Sequence, residues 1–251
     1  MSVSPTSKTL NIGETVQLTG TKNPSTTSEG TQWTSSNTSV ATVSNSGLVT
    51  AKSAGTATIT FKNSSSTKSA SCSIKVQNEF LIGRGDTSSY GYLEKYDGNG
   101  KKIWSINMNN GAVNAIQPTS DGNYLIGRGD ASSYGYLEKY DGNGKKIWSI
   151  NMNNGAVNAI QPTSDGNYLI GRGDASSYGY LEKYDGNGKK IWSINMNNGA
   201  VNAIQPTSDG NYLIGRGDAS SYGYLEKYDG NGQKIWSINM NNGAVNTIIY
   251  P

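Results

Sequence analysis

From Leu81 onward the chain repeats itself at a strict interval, with Leu81, Leu125, Leu169 and Leu213 opening near-identical segments. Residues 125–168 and 169–212 are identical, the first copy differs at Thr87, and the fourth differs at Gln233 and in its closing TIIYP. A fixed period of about 40–50 residues made of several short strands is the signature of propeller blades, because one such unit cannot bury its own apolar face and must stack on the next. No other feature narrows the choice of fold as much.

One repeat resolves into four strands, A to D in chain order. AVNAIQP leads through the turn TSDG to NYLIGR, and the loop GDASSY leads to GYLEKY. The turn DGNG then leads to KKIWSINM, with NNG running into the next copy. Asp-Gly and Asn-Gly are what tight hairpins require, since positive φ costs these residues little. The chain enters the repeats at a B strand, EFLIGR, and leaves after an A strand, AVNTIIY. Those two strands are expected to pair, because each is otherwise an open edge. Pairing within one chain gives a four-bladed ring; pairing between two chains gives an eight-bladed homodimer with twofold symmetry. Phe80 and TIIYP look fitted to that seam.

The motif YLEKYDGNGKKIWS followed by AIQPTSDGNYLIG, recurring through residues 79–251, resembles bacterial β-propeller repeats of the pyrroloquinoline-quinone-like and seven-bladed type. The resemblance implies rings of seven or eight blades, which favours the two-chain ring, while economy favours the single chain. Near-identity among the copies reports recent duplication or deliberate design, so a designed repeat propeller is a further reading.

Residues 1–77 use a different grammar. Short alternating runs, ETVQLTG, SVATVS, TATITF and CSIKVQ, are separated by Gly, Asn, Ser and Pro, which is the spacing of a β-sandwich. Pro5, Leu10, Gly13 with ETVQL, and QWTSSNTSVATVSNSGLVTAKSAGTATIT resemble a bacterial immunoglobulin-like domain of group 2, across Ser2 to Val76. Trp33 is expected to fill the space between two sheets with Val40 and Val43 beside it, and Gly47 and Gly55 to sit in tight turns. The family implies a spacer in surface proteins or phage tails. The fold expected is therefore all-β: a sandwich over 1–77 and a propeller over 78–251.

Charge and composition remove several functions. The net charge of +3 originates in the first segment, with six Lys against two acidic residues before Val76, and each full repeat is neutral with one Arg, three Lys, three Asp and one Glu. Nucleic-acid binding needs a concentrated basic face, so none is expected. No run of about 18 apolar residues occurs, so no membrane insertion is expected. The start, MSVSPTSK, lacks the pattern of a secretory signal. The expected setting is nonetheless extracellular, at a cell surface or on a phage-like particle, with the signal removed or another export route used. Histidine is absent and Cys72 is the sole cysteine. That removes the commonest general base and metal ligand, and near-identical repeats cannot gather unlike groups at one point. No enzyme, cofactor or metal is expected.

The remaining candidates lie on the loops between strands B and C and between D and A, which fall on one face of the ring. The first loop carries Arg-Gly-Asp, a tripeptide read by some cell-surface receptors. A plain structural role explains it better: glycines let the chain turn, Arg84 pairs with a neighbouring acid, and Asp86 caps the loop. Tyr90 with Asn109 and Asn110 offers an aromatic face beside amide and carboxylate groups, a combination suited to sugars. The candidate ligand set is Arg84, Asp86, Tyr90 and Asn109, with the copies Arg128, Asp130, Tyr134 and Asn153; Arg172, Asp174, Tyr178 and Asn197; and Arg216, Asp218, Tyr222 and Asn241. A surface glycan or a cell-surface receptor is the expected class of partner. Trp104, Trp148, Trp192 and Trp236 are expected to be packing anchors covered on both faces. The reading that follows is a non-enzymatic structural or display protein, with a multivalent lectin as the alternative.

Overall fold

The computed structural model describes residues 1–22, 29–65, 68–85, 90–109, 111–129, 135–153, 155–173, 178–197, 199–217, 223–241 and 243–250. Every regular element among them is a β-strand. The chain divides into two compact units, Met1–Phe80 with Lys95–Ile103, and Leu81–Glu94 with Trp104–Pro251.

The N-terminal segment contains β1 (Ser2–Ser4), β2 (Ser7–Asn11), β3 (Thr15–Gln17), β4 (Thr19–Thr21), β5 (Thr31–Ser35), β6 (Ala41–Val43), β7 (Leu48–Ala51), β8 (Gly55–Asn63) and β9 (Ser69–Gln77). One sheet has the order β2-β9-β8-β5, a second has β3-β7-β6, and β1 pairs with β4. Alternation decides what is inside. Along β8 Ala57, Ile59 and Phe61 are buried, and along β9 Cys72, Ile74 and Val76 are. They join Leu10, Leu18, Val40 and Val49 in one core. Trp33 lies at the margin of this core, half-buried, its ring centroid 4.8 Å from that of Phe61. Gly47 holds φ +85°, and a β-carbon there would lie 2.7 Å from the Leu18 carbonyl oxygen, so the turn beside Trp33 requires glycine. Burial pushes the Cys72 thiol above its ordinary value.

The repeats form successive antiparallel sheets. The first has three strands, β10 (Glu79–Gly85), β11 (Gly91–Asp97) and β12 (Lys102–Asn107). The second has four, β13 (Ala112–Pro118), β14 (Tyr124–Gly129), β15 (Gly135–Tyr140) and β16 (Lys146–Asn151). The third is β17 (Ala156–Pro162), β18 (Tyr168–Gly173), β19 (Gly179–Tyr184) and β20 (Lys190–Asn195); the fourth is β21 (Ala200–Pro206), β22 (Tyr212–Gly217), β23 (Gly223–Tyr228) and β24 (Lys234–Asn239). Asp141 shows how the turn sequence works: its side chain accepts from the backbone N–H of Asn143 and of Lys145, at 2.9 and 2.8 Å. The A strand carries a bulge between Val113 and Ala115, repeated at Val157/Ala159 and Val201/Ala203.

Consecutive sheets share a core that neither could make alone. Leu93, Met108 and Val113 meet Ile126 and Tyr140. Leu137, Met152 and Val157 meet Ile170 and Tyr184, and Leu181, Met196 and Val201 meet Ile214 and Tyr228. Each fully buried apolar side chain contributes about 1.5–3 kcal/mol, so these inter-sheet clusters hold the array together. Trp104 and Ile106 also lie over Gly144 of the next sheet, which holds φ +83° and where a β-carbon would lie 3.0 Å from Ile106 Cδ1. The tryptophans are half-buried and not covered on both faces, because the D strand is the edge of its sheet, and Trp236, with no following sheet, is exposed.

Residues 244–250 lie against the fourth sheet as A strands do. Val245 packs on Gly215 and its N–H donates to the Arg216 carbonyl at 3.3 Å. Asn158, Asn202 and Asn246 are linked side chain to side chain, at 3.4 and 3.2 Å, so Asn246 continues the line of A strands. Among the described residues this segment pairs with no strand, and the expected closure onto β10 is not made within the chain.

Close backbone approach gives a direct test. A β-carbon at Gly179 would lie 2.1 Å from the Gly199 carbonyl oxygen, whereas one at Gly186 meets nothing within 4 Å. Gly179→Ala is expected to lower stability by about 1–3 kcal/mol, and Gly186→Ala to be near neutral, in urea unfolding followed by tryptophan fluorescence.

Candidate functional site

The C strand GYLEKY places Tyr136, Glu138 and Tyr140 on one face of β15. Pairing sets their neighbours: Arg128 of β14 lies opposite Tyr136, and Ser149 of β16 opposite Glu138. Glu138 is fully buried. It accepts from Arg128 Nε at 2.9 Å and Nη2 at 3.4 Å, from Lys146 Nζ at 2.9 Å, from Ser149 Oγ at 2.8 Å and from the Tyr140 hydroxyl at 3.2 Å. The Arg128 guanidinium also sits 4.1 Å from the Tyr136 ring centroid.

The opposite wall comes from the preceding sheet, through Ile106, Asn107, Met108 and Asn109. Between the walls lies an open groove of about 460 Å³. The same groove recurs with Arg172 and Tyr184 at about 240 Å³, and with Arg216, Tyr224 and Tyr228 at about 330 Å³. The acids Glu182 and Glu226 repeat the contacts of Glu138.

The electrostatics follow from this packing. Burial pushes the Glu138 carboxyl up, but hydrogen bonds from Arg128 and Lys146, the Arg128 charge and the Ser149 bond outweigh it and hold it below the ordinary carboxylate range. Burial, and then the Glu138 charge, push the Tyr140 hydroxyl up. Glu138 is therefore a permanent anion and Tyr140 a permanent phenol near neutral pH. Outside the groove, Lys139 joins Asp121 at 2.8 Å and the Gly186 carbonyl of the next sheet at 3.1 Å, tying successive sheets at the turn end. The Lys139 bond, then the bond from Thr119, holds the Asp121 carboxyl well below the carboxylate range.

The structure separates the residues singled out by sequence. Arg128, Arg172 and Arg216 are buried in the acid-centred networks, while Arg84, paired with Glu94 at 3.3 Å, has a side chain 47% exposed against 8% for Arg128. Tyr90 and Tyr178 are exposed. Asn109, Asn153, Asn197 and Asn241 hold φ of 60–63°, and each backbone N–H is capped by the asparagine two residues earlier. Asn109, Asn153 and Asn197 line the grooves, each with the arginine of the following repeat. Asp86, Asp130, Asp174, Asp218, Tyr134 and Tyr222 lie outside the described residues. The groove residues that sequence reading passed over are Glu138, Lys146 and Ser149. Their signal was an acid flanked by tyrosines in mid-strand, where a carboxylate needs cationic partners. Among the described residues, no cluster of His, Cys, Asp and Glu could hold a metal ion.

The acid network sets a pH response. The folded state favours the carboxylate of Glu182, so its contribution is fully present above the ordinary value of 4.5 and is lost as pH falls through the lower folded value. Urea midpoints are expected to be level from pH 7 to about 5 and to fall below pH 4.5. Glu182→Gln, which leaves Arg172 buried without its counter-charge, is expected to cost about 3–5 kcal/mol at pH 7 and to flatten the acid limb.

Residues 1–74 match the bacterial Ig-like domain (group 2) model, and residues 89–245 match the model described as outer membrane protein assembly factor BamB. No curated protein sequence matches the chain. Among solved structures, a Dos1 propeller aligns at 13% identity and TM-score 0.49, covering 74% of this chain and 55% of that one. A eukaryotic initiation factor aligns at 13% identity and TM-score 0.44, covering 77% of this chain and 51% of that one. The chain thus spans about half the length of these structures. Sheets that stack by repetition, with a groove at each junction among the described residues, accord with the two family models: the chain is a bacterial Ig-like domain followed by β-propeller repeats, and over residues 89–245 it belongs to the family described as outer membrane protein assembly factor BamB.

Proposed function

We propose that the chain is a non-enzymatic structural protein of the cell exterior or a particle surface, in which the Ig-like domain is a spacer and the propeller the displayed body. The observation that carries this reading is the saturation of the groove acids. Glu138 accepts hydrogen bonds from Arg128, Lys146, Ser149 and Tyr140 at once, so it is neither a free base nor a nucleophile. Its lowered pKa and the raised pKa of Tyr140 move both groups away from neutral pH, opposite to what acid–base catalysis uses. The names of the matched families, a bacterial Ig-like domain and an outer membrane assembly factor, support a setting at the cell envelope.

A second reading rests on the recurrence of the groove. Cavities of about 240–460 Å³ with an asparagine side chain and an arginine on facing walls repeat along the array. Sites of that size, each weak, bind a polyvalent glycan tightly when presented together.

One set of substitutions separates the two. Glycine accepts the positive φ of Asn109, Asn153, Asn197 and Asn241, so Asn→Gly at all four positions removes the amides and keeps the turns. Binding is read on immobilised glycans and wall polysaccharides, with an Arg-Gly-Asp receptor included. The structural reading expects no saturable retention of either protein. Retention of the wild type that falls tenfold or more in the Asn→Gly variant overturns it in favour of a lectin.

A further inference from the structure

The inter-sheet core is built three times by one rule: Leu, Met and Val from one repeat close on Ile and Tyr from the next. A fourth set of the same residues exists in the chain but is split between its ends. Leu225 and Met240 belong to the last repeat, Val245 to the segment lying against its sheet, and Ile82 and Tyr96 to the first sheet. Neither half is sealed as at the internal junctions: Leu225, Val245 and Tyr96 are half-buried. Met240 is 47% exposed where its counterparts Met108, Met152 and Met196 are at most 5%, and Ile82 is 40% exposed where Ile126, Ile170 and Ile214 are 0%. Trp236 and Ile238 are exposed, while Gly100, whose counterparts face Trp104, Trp148 and Trp192, meets nothing within 4 Å.

The backbone repeats the pattern. Among the described residues no A strand pairs with β10, and Ala244–Tyr250 lies in the A position without pairing to a strand. The internal ladders fix how these edges match. Pro118 pairs with Tyr124, Ile116 with Ile126 and Ala112 with Gly129. Transposed to the ends, that register sets Tyr250 against Phe80, Ile248 against Ile82 and Ala244 against Gly85. The rung carrying the altered residue of β10, Phe80 for Tyr, is the rung carrying Tyr250 in place of Pro. The two ends therefore differ from the repeat at positions that face each other.

We propose that two copies of this chain join head to tail through these halves and close one ring of eight sheets. The last sheet of each copy packs on the first sheet of the other, and Ala244–Tyr250 of each supplies the A strand that β10 of the other lacks. Within a chain the halves stay apart, and two copies are the smallest closed ring that satisfies both edges. The union also completes a fourth groove. Arg84 and Glu94 supply one wall, and Ile238, Asn239, Met240 and Asn241 of the other copy supply the wall that Ile106–Asn109 gives to Arg128. This inference does not depend on whether the grooves bind a ligand.

The test is solution mass by sedimentation velocity across a hundredfold range of protein concentration. The expected result is a single species of twice 26.7 kDa that does not grow on concentration. Ile82→Lys and Met240→Lys change side chains exposed in the single chain, so both are expected to keep the wild-type far-ultraviolet circular dichroism and to fall to the mass of one chain. A wild-type monomer overturns the proposal. So does a dimer that survives both substitutions, which would form through another surface, and so does a series of species lengthening with concentration, which is an open polymer and not a ring. Should one variant misfold, the other still decides the outcome.

Discussion

Everything in the repeat region depends on one constraint: a sheet of this sequence has no apolar face it can bury by itself. Leu93 and Met108 are buried because Val113, Ile126 and Tyr140 of the following sheet lie on them. Stability in such an array is carried by nearest-neighbour interfaces, as in other repeat proteins. The glycines at the junctions, such as Gly127 against Val157 and Gly144 against Trp104, permit the close approach that makes each interface dense.

Buried charge adds orientation to that packing. Removing Arg128 and Glu138 from water is costly, and the cost is recovered only when their bonds are short and correctly aimed. The bidentate contact between them fixes the two central strands, Lys146 and Ser149 fix the outer strand, and the Tyr140 hydroxyl reaches Met108 Sδ of the preceding sheet at 3.8 Å. The cluster thus holds one sheet in register and keys it to its neighbour. The same saturation of the buried acid is the observation on which the proposed structural reading rests.

The strands and turns were readable from sequence because Asp-Gly and Asn-Gly punctuate alternating apolar runs, and local chemistry decides both. The acid at the centre of each groove was not. That Arg84 pairs with an acid could be expected, but naming Glu94 requires the register of strand B on strand C, which in the second sheet sets Arg128 opposite Tyr136, two residues before Glu138. The tryptophans were expected to be covered on both faces, an error of position: nothing local says that strand D is the outer edge. Asn109 reads from sequence as a ligand group, yet its φ of 62° and the cap from Asn107 show a residue engaged in the turn whose side chain also lines a groove.

Identical sequence in different surroundings shows where burial comes from. KIWSIN forms β16, β20 and β24 alike, but Trp148 and Trp192 are half-buried while Trp236 is exposed. YLIGRG is sealed in β14, yet FLIGRG in β10 alternates between half-buried and exposed. Composition and propensity barely differ between these copies, so only the presence of a neighbour separates them. The exposure of Met240, 47% where Met108, Met152 and Met196 are at most 5%, is therefore a statement about the surface beside it and not about the strand that carries it. Repetition makes that surface identifiable, since the array itself displays, three times over, what belongs there.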